Sequence, residues 1–489
     1  RHQEPAAALR APNPAKVAQL IAATELVRQA QDEMAATRDD IKIAIDYRDL
    51  PLRYEVDPVL SHDDVWHLHE ESAEIVGQRL ADFIARDLGY QGDDSDNNSP
   101  DGISKYPDKH LTGLGDGPLF GSDGSETLDG RNGEHSLIGG EGEDYYIVDS
   151  DGDQIIETGA DGEEIDDLEI DRVESSISWT LGANLDVLTL TGTDAIDGIG
   201  NERDNTLGGN AAANVLDGAA GADRLLGGDG SDTYHVDNLG DRAMEAEADA
   251  TKGGIDLVIA SVNYSLGANL ENLVLVGDDF LSGLGNTLDN TLYASHGDNQ
   301  LNGAAGIDTV SYAFAQSGVS VSLATGLAQA TGGSGNDVLK GFENLEGSAH
   351  ADALTGNSAN NLLLGGAGDD SLNGSAGNDV LIGGADADTL IGGSGADRYV
   401  FSALDDLGLA ELADIVSGFR AGDGDRIDFS ALDANPLTAA REAFEFIGNQ
   451  EFSATDATAQ LRFADGALYG SINADSAAEF TIKLLGVSE

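Results

Sequence analysis

The chain has 489 residues, with 89 acidic against 25 basic side chains and a formal charge of -64. Nucleic acid and anionic membranes, which need basic protein surface, are excluded as partners by that balance. Without cysteine there are neither disulfides nor thiol chemistry. Glycine stands out at 64 residues, and 40% of the chain is hydrophobic and periodic, which a disordered acidic chain would not be. No stretch approaches the roughly 18 apolar residues of a transmembrane segment, no N-terminal signal peptide is visible, and the length predicts several domains.

Residues 1–91 differ from everything after them, being poor in glycine and rich in helix formers. Val17, Leu20, Ile21, Val27, Ala30 and Met34 recur at helical spacing and predict a helix over about 15–36. The run from Ile41 to Tyr47 alternates as a strand does, and Ile75, Val76, Leu80, Phe83 and Ile84 mark a second helix over about 70–88. Helix, strand, loop and helix form the closing part of an α/β unit. The loop from Ser61 to Glu71 reads SHDDVWHLHEE. A zincin motif fails there, because Ala73 stands where the second ligand histidine belongs, so zinc-protease chemistry is excluded. Two readings stay open. Asp64 and His67 form an Asp-x-x-His pair, in which the carboxylate holds the imidazole in one tautomer while it acts as general base. Alternatively these side chains only cap the following helix and are satisfied by solvent.

The stretch from Val27 to Gly89 resembles the C-terminal end of sialate O-acetylesterase-like carbohydrate esterases of the SGNH type. The resemblance rests on Asp49-Leu50-Pro51-Leu52, on the Asp64/His67 loop and on Gly77, Arg79 and Ala81 in the last helix. It implies that Asp64 orients and His67 is the base, with a carbohydrate substrate. The family's nucleophilic serine sits in a Gly-Gln-Ser-Asn-like block far upstream, and no such block occurs here. A histidine without its serine forms no acyl-enzyme. On this reading the chain is the tail of an esterase domain whose serine lies upstream.

Residues 92–120 are polar and rich in turn formers, and read as a linker. A nine-residue glycine phase begins at Gly121. The predicted divisions are a first β-roll (121–149), a β spacer (150–199), a second roll (200–236), a second spacer (237–284), a third roll with added strands (285–346), a fourth roll (347–401) and a cap (402–489). In the first roll the sixth positions are Glu126, His135 and Asp144, a degraded set expected to hold a cation weakly, with His135 and His110 read as lone solvated histidines and metal ligation as the alternative. In the second they are Asn205, Asn214, Asp223 and Asp232, which places the ions in its C-terminal half; in the third, Asn290, Asn299, Asp308 and then Asp337. The spacers contain a longer repeat, SWTLGANLDVLTLTG from Ser178 and NYSLGANLENLVLVG from Asn263, offset by 85 residues. They are expected to continue the same solenoid as calcium-free turns, with independent β-domains as the alternative.

The fourth roll is the most regular. From Gly347 to Val400 it divides into six nine-residue units, each opening on glycine. The sixth positions are Asp352, Asn361, Asp370, Asp379, Asp388 and Asp397, and the eighth are Leu354, Leu363, Leu372, Leu381, Leu390 and Tyr399. Glycine allows the positive φ of a tight turn, and the apolar residue follows in a short strand with its side chain inward. Two units make one turn, so residues 18 apart stack at strand spacing, about 4.8 Å. Asp352, Asp370 and Asp388 then form one column, with Asp379 and Asp397 on the opposite edge. Carboxylates that close repel unless a cation lies between them. Carboxylate and carbonyl oxygens, the latter from Gly365, Gly374, Gly383 and Gly392, are hard donors that select calcium. The nonapeptide resembles the calcium-binding repeat of RTX proteins. The expected fold is mainly β, a right-handed parallel β-roll, with Ca2+ bound at several sites.

Beyond Phe401 the phase ends. Asp465-Gly466 between alternating segments predicts a hairpin, and Phe480, Ile482 and Leu484 alternate in the last strand. A solenoid end needs a cap. The segments GDRIDFSAL and FEFIG resemble the C-terminal region of serralysin-type secreted proteases, which implies a capped roll and a type I secretion signal. The run NADSAAEF is less acidic than that family's, which weakens any calcium site there. Together these resemblances imply a secreted, extracellular calcium-binding protein and type I secretion machinery as a partner. The alternatives are a secreted carbohydrate esterase that uses the rolls for export, and an adhesin or surface-layer component attached to a surface polysaccharide.

Overall fold

The structure, a computed structural model, describes residues 109–113, 117–121, 124–131, 133–140, 142–157, 170–245, 253–409, 412–435, 441–453 and 455–487. The helices and strand expected before residue 92, and Asp64 and His67 with them, lie outside the described residues. Within the described residues successive strands alternate between two sets of sheets. Almost every strand pairs in parallel with one a full turn away rather than with its sequence neighbour. The result is a parallel β-solenoid of about 18 turns, a β-roll, with no α-helix among the described residues.

One set of strands forms a three-stranded sheet and then a thirteen-stranded sheet running from Trp179–Thr180 to Arg426–Asp428. The other set forms an eight-stranded sheet from Lys109–Thr112 to Arg242–Met244, followed by sheets of five and nine strands. The register is that of the nonapeptide. Leu354 lies beside Leu372 and Leu372 beside Leu390 in one sheet, while Leu363, Leu381 and Tyr399 are in line in the other. All six are fully buried. The strands of these repeats are short because a single residue separates each inward leucine from the next glycine. One apolar cluster runs from Leu119 to Leu484.

The segments between glycine-phased blocks carry strands of the same sheets, and there the turn length varies. Arg172 lies opposite Val187 and Val187 opposite Thr206, steps of 15 and 19 residues. The step from Tyr145 to Arg172 is 27 residues. In both copies of the 85-residue repeat the loop Leu-Gly-Ala-Asn-Leu puts its asparagine in the left-handed region, Asn184 at φ 71° and Asn269 at φ 68°. Asparagine tolerates that conformation best among residues with a side chain. The flanking Leu181, Leu185, Leu266 and Leu270 are buried. Val187–Leu190 and its counterpart Asn272–Leu275 are nine strands apart, an odd number, so equivalent strands fall in opposite sheets.

The stack of parallel strands ends in an antiparallel unit. Ile415–Ser417 pairs in parallel with Phe480–Leu485, which pairs antiparallel with Ala467–Ser471, which in turn pairs with Gln460–Ala464. The hairpin turn is Asp465-Gly466, both at positive φ (51° and 76°), as the sequence predicts. Phe401, Phe429, Phe444 and Phe480 pack with ring centroids 5.7–5.8 Å apart. They close the apolar interior at this end.

Because each inward leucine is surrounded on all sides, truncation leaves a cavity. Leu381→Ala is expected to lower the stability of the calcium-loaded protein by about 2–5 kcal/mol in denaturant unfolding. Leu327→Ala, at a residue 76% exposed, changes it by no more than about 0.5 kcal/mol.

Candidate metal centre

Every sixth-position residue named from the sequence is placed at the entrance to a strand, where the backbone leaves the turn. Asp144, Asp223, Asp232, Asp308, Asp337, Asp352, Asp370, Asp379, Asp388 and Asp397 are all buried, none more than 4% exposed. Within the fourth roll they form the two expected columns, and the columns have a specific chemistry. From Asp370 onward, Oδ1 of each aspartate accepts the backbone N–H of the sixth-position residue one turn earlier. Asp352 donates to Asp370 at 2.8 Å, Asp370 to Asp388 at 2.9 Å, Asn361 to Asp379 at 2.8 Å and Asp379 to Asp397 at 3.0 Å. The same bond recurs in the earlier rolls, where Asn205 donates to Asp223, Asn214 to Asp232, Asn290 to Asp308 and Asn299 to Asp337. The first roll has it from Glu126 to Asp144, at 2.8 Å.

This leaves the second oxygen. Oδ2 of Asp223, Asp232, Asp308, Asp370, Asp379 and Asp397 is buried without a hydrogen-bond partner. Burying a polar atom unpaired is costly, and burying an ionised one much more so. Asp388 is not in this set, and two further aspartates have identified partners. Asp337 Oδ2 accepts the Tyr312 hydroxyl at 2.9 Å, and Asp352, at the head of its column, accepts N–H from Val319 and Ser348.

The orphan oxygens lie against first-position glycines. A Cβ on Gly365 would overlap both Asp370 Oδ2 and the Gly383 carbonyl oxygen; one on Gly374 would overlap Asp379 Oδ2 and crowd the Gly392 carbonyl. The Gly365 carbonyl faces Gly347 beside Asp352, and the Gly374 carbonyl faces Gly356 beside Asn361. All four carbonyls expected as donors therefore stand next to a sixth-position side chain of the neighbouring turn. Carboxylate and carbonyl oxygens without nitrogen or sulfur, with a carboxylate oxygen still unsatisfied at Asp370, Asp379 and Asp397, fit a hard divalent cation of flexible coordination. When bound, that cation supplies the positive charge the buried carboxylates lack. Asp370, Asp379 and Asp397, with the carbonyls of Gly383 and Gly392, would hold it in the fourth roll.

Both columns extend past the end of the glycine phase, through residues the nine-residue count does not reach. Asp388 donates its N–H to Asp414 Oδ1 at 2.8 Å, across 26 residues, and Asp397 donates to Asp425 at 3.0 Å, across 28. In the earlier rolls Asp144, Asp223 and Asp232 donate to Asp171, Asp241 and Asp256. Counting two units on misses Asp171, Asp256, Asp414 and Asp425 because the intervening turns are longer, whereas Asp241, 18 residues after Asp223, keeps the spacing without the glycine phase. An aspartate directly before a short strand was the available signal. His135 corrects an expectation. It is 2% exposed rather than solvated, and its Nδ1 lies 3.6 Å from Asp153 Oδ1. It occupies a sixth position in the column, and that position is buried whatever residue holds it. His110 is exposed.

A family model for the RTX calcium-binding nonapeptide repeat (4 copies) matches residues 120–155, 199–234, 276–310, 329–344, 346–381, 364–399 and 374–406. No curated protein matches the chain. The chain carries RTX calcium-binding nonapeptide repeats in a β-solenoid, and calcium is the ion expected in them.

Burial is the main cause that pushes the column carboxyls up, aided by neighbouring carboxylates and opposed by the backbone N–H bond. Asp388 reaches about 8, Asp370 and Asp414 about 7, and Asp379 about 6. In an unfolded chain they would titrate near 3.9. Folded-state values above the unfolded ones mean that metal-free stability is fully present below about pH 4 and is lost as pH rises through 6 to 8. Bound calcium requires ionised ligands, so it reverses the sign. In chelator, circular dichroism should therefore show more β-structure at pH 5 than at pH 8. In excess calcium the melting temperature should be higher at pH 8. A chelated protein more ordered at pH 8 than at pH 5 would contradict this.

Proposed function

We propose that the chain is a secreted calcium-binding protein whose rolls fold when they meet calcium outside the cell. The observation that carries this reading is the set of buried, unpartnered Oδ2 atoms stacked turn upon turn beside glycine carbonyls. Inside a cell, where free calcium is scarce, such carboxylates repel one another and the net charge of -64 opposes compaction. An unfolded chain of this kind suits passage through a type I exporter. Extracellular calcium is high enough to fill sites of about 10⁻⁴ to 10⁻³ M affinity, and the binding energy then becomes folding energy. The cap-forming residues 402–489, which resemble the end of a serralysin-type protease, would carry the export signal. Among the described residues no helix is long and apolar enough to cross a membrane.

A calcium titration of chelator-stripped protein at pH 7.5, followed by circular dichroism, tests the proposal. The expected result is a cooperative gain of β-structure, reversed by chelator; full β-structure in chelator would overturn it. Asp370→Ala and Asp379→Ala each shift the midpoint to higher calcium, whereas Asp64→Ala, outside the repeats, leaves it in place.

A further inference from the structure

The turn that follows each of the first two rolls contains a carboxylate group that the nonapeptides do not account for. Asp232, Glu245 and Asp256 bring one oxygen each to within 4.8 Å of one another. Asp232 and Asp256 enter successive strands of the thirteen-stranded sheet, Thr233–Val236 and Leu257–Ala260. Glu245 arrives from the other side, directly after Arg242–Met244 of the eight-stranded sheet. It is not part of any nonapeptide, and its position is fixed by the Tyr234 hydroxyl, which donates to its Oε1.

Three observations show that these oxygens are directed at a common point. Asp232 is 1% exposed, its Oδ1 is occupied by the Asn214 N–H, and its Oδ2 has no hydrogen-bond partner. Glu245 Oε2 is also buried without a partner. A Cβ placed on Gly227 would overlap Asp232 Oδ2, Tyr234 Oη and Glu245 Oε1 together, so only glycine leaves room there. Among the described residues no basic side chain forms an ion pair with any of the three carboxylates.

The arrangement occurs twice. Asp144, Glu157 and Asp171 also lie within 4.8 Å of one another, Tyr146 donates to Glu157, and a Cβ on Gly139 would overlap Tyr146 Oη and Asp144 Oδ2. Asp144, Tyr146 and Glu157 precede Asp232, Tyr234 and Glu245 by 88 residues, and Asp171 precedes Asp256 by 85. In sequence the repeat reads VDSDGDQIIE from Val148 and VDNLGDRAME from Val236. It therefore extends upstream of the LGANL segment, and it places the two groups on opposite sheets.

We infer that Asp232, Glu245 and Asp256 form a calcium site of their own, in which a glutamate from the opposite strand completes the ligand set, with Asp144, Glu157 and Asp171 as its second copy. Three carboxylates with no nitrogen or sulfur donor are the ligands of a hard divalent cation, and three negative charges this close need one. The spacers are then calcium-bearing turns that join one roll to the next, rather than metal-free filler.

This inference rests on the chain binding calcium in its repeats. The test is isothermal titration of the full chain, stripped with chelator, as wild type and as Glu245→Gln, with thermal melts at pH 8 in chelator and in calcium. Glu245→Gln is expected to bind one ion fewer per chain. It should melt higher than wild type in chelator, because a buried like charge is gone, and gain less from calcium. Adding Glu157→Gln removes a second ion. A variant with the wild-type ion count and the wild-type calcium-induced gain in melting temperature would overturn the site, leaving Glu245 as a structural partner of Tyr234 only. A wild type that binds no calcium would overturn the general calcium reading along with this one. Should Glu245→Gln fail to fold in calcium, Glu157→Gln alone gives the same comparison.

Discussion

A buried carboxylate with only one oxygen satisfied is the constraint from which the rest of this structure follows. In the regular turns of the fourth roll Oδ1 accepts a backbone N–H from the turn before, which fixes the side chain and links successive turns through 18 residues of sequence. Oδ2 is thereby held inside the protein facing a glycine and a carbonyl oxygen. The energy of that arrangement depends on what neutralises the charge. A proton does so at acid pH, a calcium ion at neutral pH, and without either the turns repel. Glycine at the first position belongs to the same constraint, since a Cβ there would occupy the space Oδ2 needs.

The inward leucines supply the opposing term. Each turn contributes one or two fully buried apolar residues to a single cluster, but a turn alone buries little, and it covers its apolar face only by stacking on its neighbours. Stability in such a fold is close to a sum of turn and interface terms, so a cation that joins two turns acts on the interface term directly. The C-terminal hairpin and its phenylalanines serve the last turn in the same way, covering by antiparallel strands what a further parallel turn would have covered.

The nonapeptide made the register, the inward position 8 and the two columns from Asp352 to Asp397 legible without coordinates, because a fixed period of nine translates directly into stacked positions. The spacers were legible only as strands. Turns of 15, 19 and 27 residues depart from the 18-residue spacing of the rolls, so Asp171 could not be placed by counting two units on. Nor could Asp256, Asp414 and Asp425, which follow their column partners by 24, 26 and 28 residues. Asp241 follows Asp223 by 18 and falls on the count, but no glycine phase marks it. Glu157 and Glu245 were hidden for a second reason. They reach their carboxylate partners from the opposite sheet, a proximity that depends on how the solenoid closes. His135 was misread because a histidine in an acidic, glycine-rich stretch has the appearance of a surface residue, whereas its sixth position is buried in every repeat.

Amide hydrogen exchange across residues 347–428, at pH 7.5 with calcium and then with chelator, tests the central claim most directly. The N–H groups of Asp352, Asn361, Asp370, Asp379, Asp388 and Asp397 each donate to a column side chain one turn on. They should exchange slowly in calcium and lose that protection together when the ion is removed. Equal protection in chelator would mean that the columns hold without a cation, and would contradict the account.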